Sequence, residues 1–451
     1  MEQAKKSNLQ KRAINSGIWV IAGYGLQQIL RLASNLVLTR LLFPEAFGLM
    51  AIIQTVLMGL VMMSDIGIQP SIVQNERGHE PAFLNTAWTL QIIQGFLIFM
   101  VVLISAPFFA DFYHQPLLTT LLPVVGVGAI IAGFNSTKLA SANRDLQMGK
   151  ATLIELLTYI VSVVITIALA WMHKNVWHSP THEAIWALVW GTLVGNLLKM
   201  FASHYCLPGV HNKIGWEKAA ISAIFGFGSW IFVNSSLTFL AGEGSKLLVA
   251  KFLTVKMLAF YTLASTMSLI FWQAMLILAV RTLFPAYSEV IRNHPEQMGK
   301  LLTKARLIMI GSGGLAALFF TFFGDQFMWF IYDDRYQETG VMLRILGMGS
   351  LAAVVVGSYT GVLFAKGKVS SATILNAAQI VLQVLAILVG SHYYGEKGVI
   401  VSLAAIYWLV YPVHAYVMNQ VGLWQAKIDL PFLAFSAIVT FFVFRNLHYF
   451  G

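Results

Sequence analysis

About thirteen apolar stretches of roughly 18–26 residues tile the 451-residue chain almost end to end, and a bilayer core takes about 20 apolar residues to cross as a helix. This pattern fixes the fold class. Hydrocarbon offers no partner to an unpaired backbone amide or carbonyl, so each stretch must be a helix that satisfies its own hydrogen bonds. The composition agrees: 58% of residues are hydrophobic and 11% charged, and the mean hydropathy is +0.73. The chain is therefore expected to be an all-α polytopic membrane protein. Spans are placed near 14–38, 46–66, 83–106, 117–136, 151–172, 183–206, 220–242, 257–280, 301–323, 339–364, 372–391, 397–418 and 429–446. The first of these contains Arg31 and has no small-residue cleavage site. It is too long for the apolar core of a signal peptide and reads as a retained span.

Charge gives orientation rather than a nucleic-acid partner. The net charge is +10, and the basic residues gather in alternate loops. Lys5, Lys6, Lys11 and Arg12 precede the first span, and Arg77, Lys138, Arg144, Lys150, Lys213, Lys218, Lys300, Lys366, Lys368 and Lys427 lie in loops on one predicted side. That bias places the N-terminus in the cytoplasm, and lipid headgroups account for the remaining attraction. The single cysteine, Cys206, leaves no internal disulfide and no multi-cysteine metal site. Gly149–Lys150 is followed by Ala151, so no phosphate-binding loop is formed, and the histidines lack metal-site spacing. No cofactor, no metal and no enzymatic activity are expected.

The chain repeats itself. Thr39–Met50, leaving span one, parallels Ala250–Tyr261, leaving span seven, with Arg40 opposite Lys251 and Leu42 opposite Leu253. Ala151-Thr-Leu-Ile-Glu155 parallels Ala372-Thr-Ile-Leu-Asn376, which sets Glu155, Thr158 and Ser162 opposite Asn376, Gln379 and Gln383. Both pairs relate spans six apart. Six is even, so the two halves share one orientation and are related by an axis along the membrane normal, with the longer loop at 207–219 as their junction.

Polar stripes then mark faces that lipid does not cover. Span one carries Tyr24, Gln27, Gln28, Arg31, Ser34 and Asn35 within about a third of its circumference. Span two carries Gln54 and Asp65; span five carries Glu155, Thr158, Ser162 and Thr166. Span seven carries Asn234 and Thr238, followed by Ser245 and Lys246, and span eleven carries Asn376, Gln379 and Gln383. Two readings stand: a hydrated central cavity, or hydrogen bonds between helices, which Ser and Thr commonly provide. Arg31 is the sharpest residue, since a mid-membrane arginine costs about 2.5–3.5 kcal/mol. It calls for an anionic substrate, for Asp65 or Glu155 as partner, or for snorkelling to the headgroups. Lys246 poses the same choice, with Glu243 nearby. Glu155 and Asp65 are the candidates for proton or sodium coupling.

Four segments in register resemble one family. Leu38-Thr-Arg-Leu-Leu-Phe-Pro-Glu-Ala-Phe-Gly-Leu49, Ser64-Asp-Ile-Gly-Ile68, Asn143-Arg-Asp-Leu146 and Ser245-Lys-Leu-Leu-Val-Ala-Lys-Phe-Leu253 are similar to segments of lipopolysaccharide and exopolysaccharide flippases, within the multidrug/oligosaccharidyl-lipid/polysaccharide exporter group. The resemblance implies two six-helix lobes around a central cationic cavity: residues 1–208, a cytoplasmic linker 209–219, residues 220–427, and an additional C-terminal membrane helix in 428–451. It further implies a cell-membrane flippase for polyprenyl-pyrophosphate-linked oligosaccharides, with a polysaccharide polymerase and chain-length proteins as partners. Arg31, Lys246, Gln27, Asn35, Asn234, Gln379 and Gln383 would then line the substrate cavity. A multidrug or cation antiporter of the same superfamily is the alternative, followed by a membrane glycosyltransferase or polymerase, for which every predicted outer loop is short.

Overall fold

The computed structural model describes residues 2–447 except 146, 178–182, 242–243, 279–282, 284–286, 288–289, 292–294, 333, 360–361 and 367. Among the described residues there is no strand. In chain order the helices are α1 (Glu2–Leu41), α2 (Pro44–Met62), α3 (Ile68–Gln74), α4 (Pro81–Tyr113), α5 (Leu118–Gly133), α6 (Lys138–Arg144), α7 (Met148–Asn175), α8 (Ile185–Tyr205), α9 (Lys218–Ala241), α10 (Gly244–Phe252), α11 (Val255–Leu278), α12 (Met298–Ile331), α13 (Gln337–Gly357), α14 (Val362–Ala365), α15 (Val369–Gln420) and α16 (Ala426–Leu447). Each expected span falls on a helix, the eleventh and twelfth on the two arms of α15. Those arms meet at Gly395, whose φ of 56° only glycine adopts without strain. Eight of the helices (α2, α4, α7, α8, α12, α13, α15 and α16) are long and apolar enough to cross a membrane. The protein is an all-α, multi-pass membrane protein. Proline at the first turn starts α2 and α4, where its missing amide hydrogen costs nothing.

The chain divides into two compact units, Met1–Phe239 and Leu240–Gly451. The division falls in the last turn of α9, whereas the repeat places a linker at 209–219, ahead of that helix. Local bonding explains this. The linker lies along the start of α4: the Lys213, Gly215 and Glu217 amides donate to Asn85 Oδ1, Thr89 Oγ1 and Thr86 Oγ1 at 3.0, 3.0 and 3.1 Å. The Glu217 carboxylate accepts from Arg77 at 2.7 Å, and hydrogen bonds to Glu217 and then Glu80 raise the pKa of that guanidinium. Ala220 and Ile224 of α9 join Ile68, Ile72, Phe83 and Leu84 in one apolar cluster.

Each unit contains the same internal arrangement. The first unit pairs α4 with α5 and α7 with α8; the second pairs α12 with α13 and the two arms of α15. In the first, Lys174 Nζ, from the end of α7, donates to the Arg40 carbonyl at the end of α1 at 3.0 Å. In the second, Glu396, from the corner of α15, accepts from the Thr254 amide at the start of α11 at 2.6 Å. A cation on a helix C-terminus and a carboxylate on a helix N-terminus both complement the helix dipole, so each unit ties this corner at a different helix end with the charge that suits it.

Apolar side chains gain little by leaving lipid for another helix, so close backbone approach at small residues holds such bundles together. Gly95 of α4 is an instance: a Cβ there would sit 2.6 Å from the Ala129 carbonyl oxygen of α5. Gly311 of α12 has nothing within 4 Å. Gly95→Val is therefore expected to cost about 1–3 kcal/mol by overpacking and to lower the unfolding temperature in lipid nanodiscs. Gly311→Ala should leave that temperature unchanged or raise it, since alanine gains about 0.5–1 kcal/mol over glycine inside a helix.

Candidate functional site

Helix α1 shows two faces: buried groups and accessible polar groups share one, and apolar side chains line the other. Gly23, Ser34 and Leu38 are buried, and Gly23 packs directly on Thr152 of α7. Leu26, Ile29 and Val37 are exposed along one arc. Gln27 and Arg31 are exposed and Asn35 half-buried along another, roughly opposite the apolar arc at about 100° per residue. Gln28 donates to the Tyr24 hydroxyl at 2.7 Å. Arg31 lies about 15 Å from the end of α1 at Leu41, at about 1.5 Å per residue.

Glu155 is also exposed, but it is not a lone acid. Lys199 Nζ of α8 donates to its Oε1 at 2.7 Å, with both side chains partly open to solvent. Lys199 lies inside the apolar stretch 183–206 and was not singled out in the sequence, although a lysine within a span is itself a signal. For the rest of the span-five stripe the structure favours the second reading, hydrogen bonding between and along helices. Ser162 Oγ donates to the Gly191 carbonyl at 2.8 Å, while Thr158 and Thr166 bond back to their own helix at 2.8 Å. A Cβ on Gly195 would stand 2.7 Å from Ser162 Cβ, and one on Gly191 would collide with the Thr166 hydroxyl. These three hydroxyls occupy a glycine-lined seam between α7 and α8.

Asp65 sits where α2 gives way to α3. Gly67 at the N-cap of α3 has φ 67°, and its amide donates to Asp65 Oδ1 at 2.8 Å. The Ser235 hydroxyl of α9 donates to Oδ2 at 3.3 Å, and Gln94 Nε2 binds the Ser64 carbonyl at 2.8 Å. The carboxylate thus stands at a helix break with two neutral donors, a setting in which discontinuous helices bind protons or sodium.

In the second unit Lys246 is half-buried on α10, Asn376 is exposed on α15, and Gln379 and Gln383 are half-buried one and two turns further on. Gln379 is hydrogen-bonded to the side chain of Tyr407 on the other arm of α15. Asn234 lies on α9 with its side chain outside the described residues, and Glu243 lies outside them altogether.

The most highly charged core was not anticipated. Arg306 of α12 and Asp429 of α16 are both fully buried and form an ion pair. Arg306 Nε donates to Ser358 Oγ at 2.9 Å and Nη1 to Gln425 Oε1 at 3.0 Å. Its guanidinium lies 3.7 Å from the centroid of the Tyr359 ring. Asp429 Oδ2 accepts from the Tyr359 and Tyr411 hydroxyls at 3.0 and 3.2 Å. The cluster joins α12, α13, α15 and α16, so the additional C-terminal helix is part of the core of its unit. Arg344 is likewise paired, to Asp325 at 2.5 Å.

Comparisons with known proteins agree with this architecture. A family model described as "Polysaccharide biosynthesis protein" matches residues 37–339. The lipopolysaccharide biosynthesis protein WzxC of Escherichia coli K12 is 22% identical over 400 residues, covering 87% of this chain and 78% of its own. The teichuronic acid biosynthesis protein TuaB of Bacillus subtilis 168 is 21% identical over 374 residues, covering 80% and 71%. Among solved structures, the lipid II flippase MurJ in an inward closed conformation aligns with TM-score 0.70 at 12% identity, over 95% of this chain and 92% of its own. An inward-facing multidrug resistance MATE family transporter of the MOP superfamily aligns with TM-score 0.66 at 14% identity, over 92% and 95%. These two likenesses concern the fold.

The Arg306–Asp429 pair yields a sharp test. Arg306→Ala or Asp429→Ala alone leaves a buried uncompensated charge and is expected to cost about 3–5 kcal/mol. The double variant Arg306→Met/Asp429→Leu should recover most of that loss in nanodisc unfolding measurements, because neither charge then remains.

Proposed function

Because the chain belongs to the polysaccharide biosynthesis protein family, we propose that it is a flippase. Its cargo is a polyprenyl-pyrophosphate-linked oligosaccharide, moved from the cytoplasmic to the outer leaflet of the cell membrane by alternating access. The carrying observation is the accessible arc of Gln27, Arg31 and Asn35 on α1. Arg31 and Lys246 are the cations assigned to the pyrophosphate. Gln27, Asn35, Asn234, Gln379 and Gln383 replace water around the sugars, while the polyprenyl tail stays in lipid. The barrier is the desolvation of sugars and phosphates, so no covalent step is needed. The names of WzxC and TuaB, which place them in lipopolysaccharide and teichuronic acid biosynthesis, support a polymer-precursor substrate. A polymerase and chain-length proteins then act on the delivered units.

Orientation follows from the basic loops, with the N-terminus cytoplasmic. Each net negative charge moved outward across an inside-negative membrane gains about 2.3 kcal/mol per 100 mV, so the membrane potential itself drives a pyrophosphate in the required direction. Asp65, at the α2–α3 break and hydrogen-bonded only by neutral donors, is the coupling carboxyl for a proton or sodium ion. Glu155, already paired with Lys199, is the weaker candidate. The MATE likeness favours a multidrug antiporter as the second reading, but Arg31 and Lys246 oppose cationic drugs.

Two substitutions test these roles at matched expression. Arg31→Ala should reduce polymer export at least about tenfold, the equivalent of about 1.4 kcal/mol, with Arg31→Lys keeping part of the activity; full export by the alanine variant removes Arg31 from the site. Asp65→Asn should make transport into vesicles insensitive to an imposed proton or sodium gradient while leaving potential-driven transfer. An unchanged response to both gradients would exclude Asp65.

A further inference from the structure

Helix α13, the second arm of α15 and helix α16 leave a groove of about 390 Å³ between them. Its floor is formed where Gly349 of α13 presses on the Ala404 backbone of α15. Its walls are apolar, with Met348, Trp408, Phe441 and Phe444 the largest groups. Arg445, at the C-terminal end of α16, is the one charged residue lining it, and Arg445 makes no ion pair among the described residues. Thr440, also in the lining, has its hydroxyl oxygen buried without a partner in the protein. The volume lies at the low end of the range of about 300–1,000 Å³ typical of small-molecule sites.

We propose that this groove holds one resident anionic phospholipid, with an acyl chain along the α15–α16 cleft and its phosphate at Arg445. The chemistry is complementary at both ends. An apolar slot between membrane-spanning helices gains dispersion contacts from a hydrocarbon chain and is left short of them when empty. A single guanidinium at the end of a span lies at headgroup depth, where arginine pairs with phosphate through parallel N–H donors. The Thr440 hydroxyl lies among the lining groups and gains a partner from the ester region of the lipid. No carboxylate lines the groove, so a headgroup with net negative charge is preferred over a zwitterionic one. This lipid is distinct from the transported one: it is held within the second unit, by none of the residues assigned to substrate.

Native mass spectrometry of the full-length protein, released from nanodiscs containing equal phosphatidylglycerol and phosphatidylethanolamine, tests the assignment. The wild type should retain one phosphatidylglycerol per chain in preference to phosphatidylethanolamine. Arg445→Gln should abolish that preference, and Ala405→Phe, which fills the slot, should lower retention several-fold. Ala437→Phe is an independent plug should the first variant fail to fold. Equal retention by the wild type and both plugged variants would overturn the proposal, as would equal retention of the two lipids by the wild type. Displacement of phosphatidylglycerol by equimolar polyprenyl phosphate would overturn it as well, by giving the slot to the transported lipid. Substrate transfer is not read in this experiment, so its outcome is separable from the flippase reading.

Discussion

Hydrocarbon offers a polar group nothing to bond to, and the structure is organised around that constraint. It makes every described element helical and decides how the helices touch. Where Gly191 and Gly195 let α8 approach α7, the hydroxyls of Thr158, Ser162 and Thr166 turn inward to carbonyl oxygens. Where an ion pair is fully buried, several groups answer it. Arg306 spends its guanidinium on Asp429, Ser358 and Gln425, with Tyr359 against its face. Asp429 takes two tyrosine hydroxyls besides. A network satisfied to this degree fixes one arrangement of four helices, because any other leaves a buried polar group unpaired.

Against these sealed sites the accessible polar groups stand out. Gln27 and Arg31 are exposed on α1, and Glu155 and Lys199 keep their pair partly open. Asp65 is held by neutral donors at a broken helix. A chain under pressure to hide polarity from lipid keeps such groups open only where water or a polar cargo reaches them. That contrast within one unit, rather than any single motif, supports transport of a polar headgroup.

The sequence carried most of the fold and only part of the site. Span length and hydropathy are local properties, so the helices were legible, including the separation of spans 372–391 and 397–418 that the two arms of α15 bear out. The repeat was legible in Arg40–Leu42 and Lys251–Leu253, because each stretch closes one helix just ahead of the start of the next. Three things were hidden. The α7 stripe has the same period whether it faces water or a neighbouring helix, and only the glycines of α8 distinguish the two. Arg306 and Asp429 are separated by three helices in the chain, so their pairing is a property of packing. The attachment of the linker to Asn85, Thr86 and Thr89 depends on backbone amides, which leave no trace in residue identity.

The central claim is that one arc of α1 is wet, and water itself measures it most directly. In a Cys206→Ser background, single cysteines placed along α1 from position 26 to 37 are reacted with a membrane-impermeant maleimide in intact membranes. The account predicts labelling at 27, 31 and 35 with helical period, and protection at 26, 29 and 37. Protection at 27, 31 and 35, or equal labelling of both arcs, would contradict it.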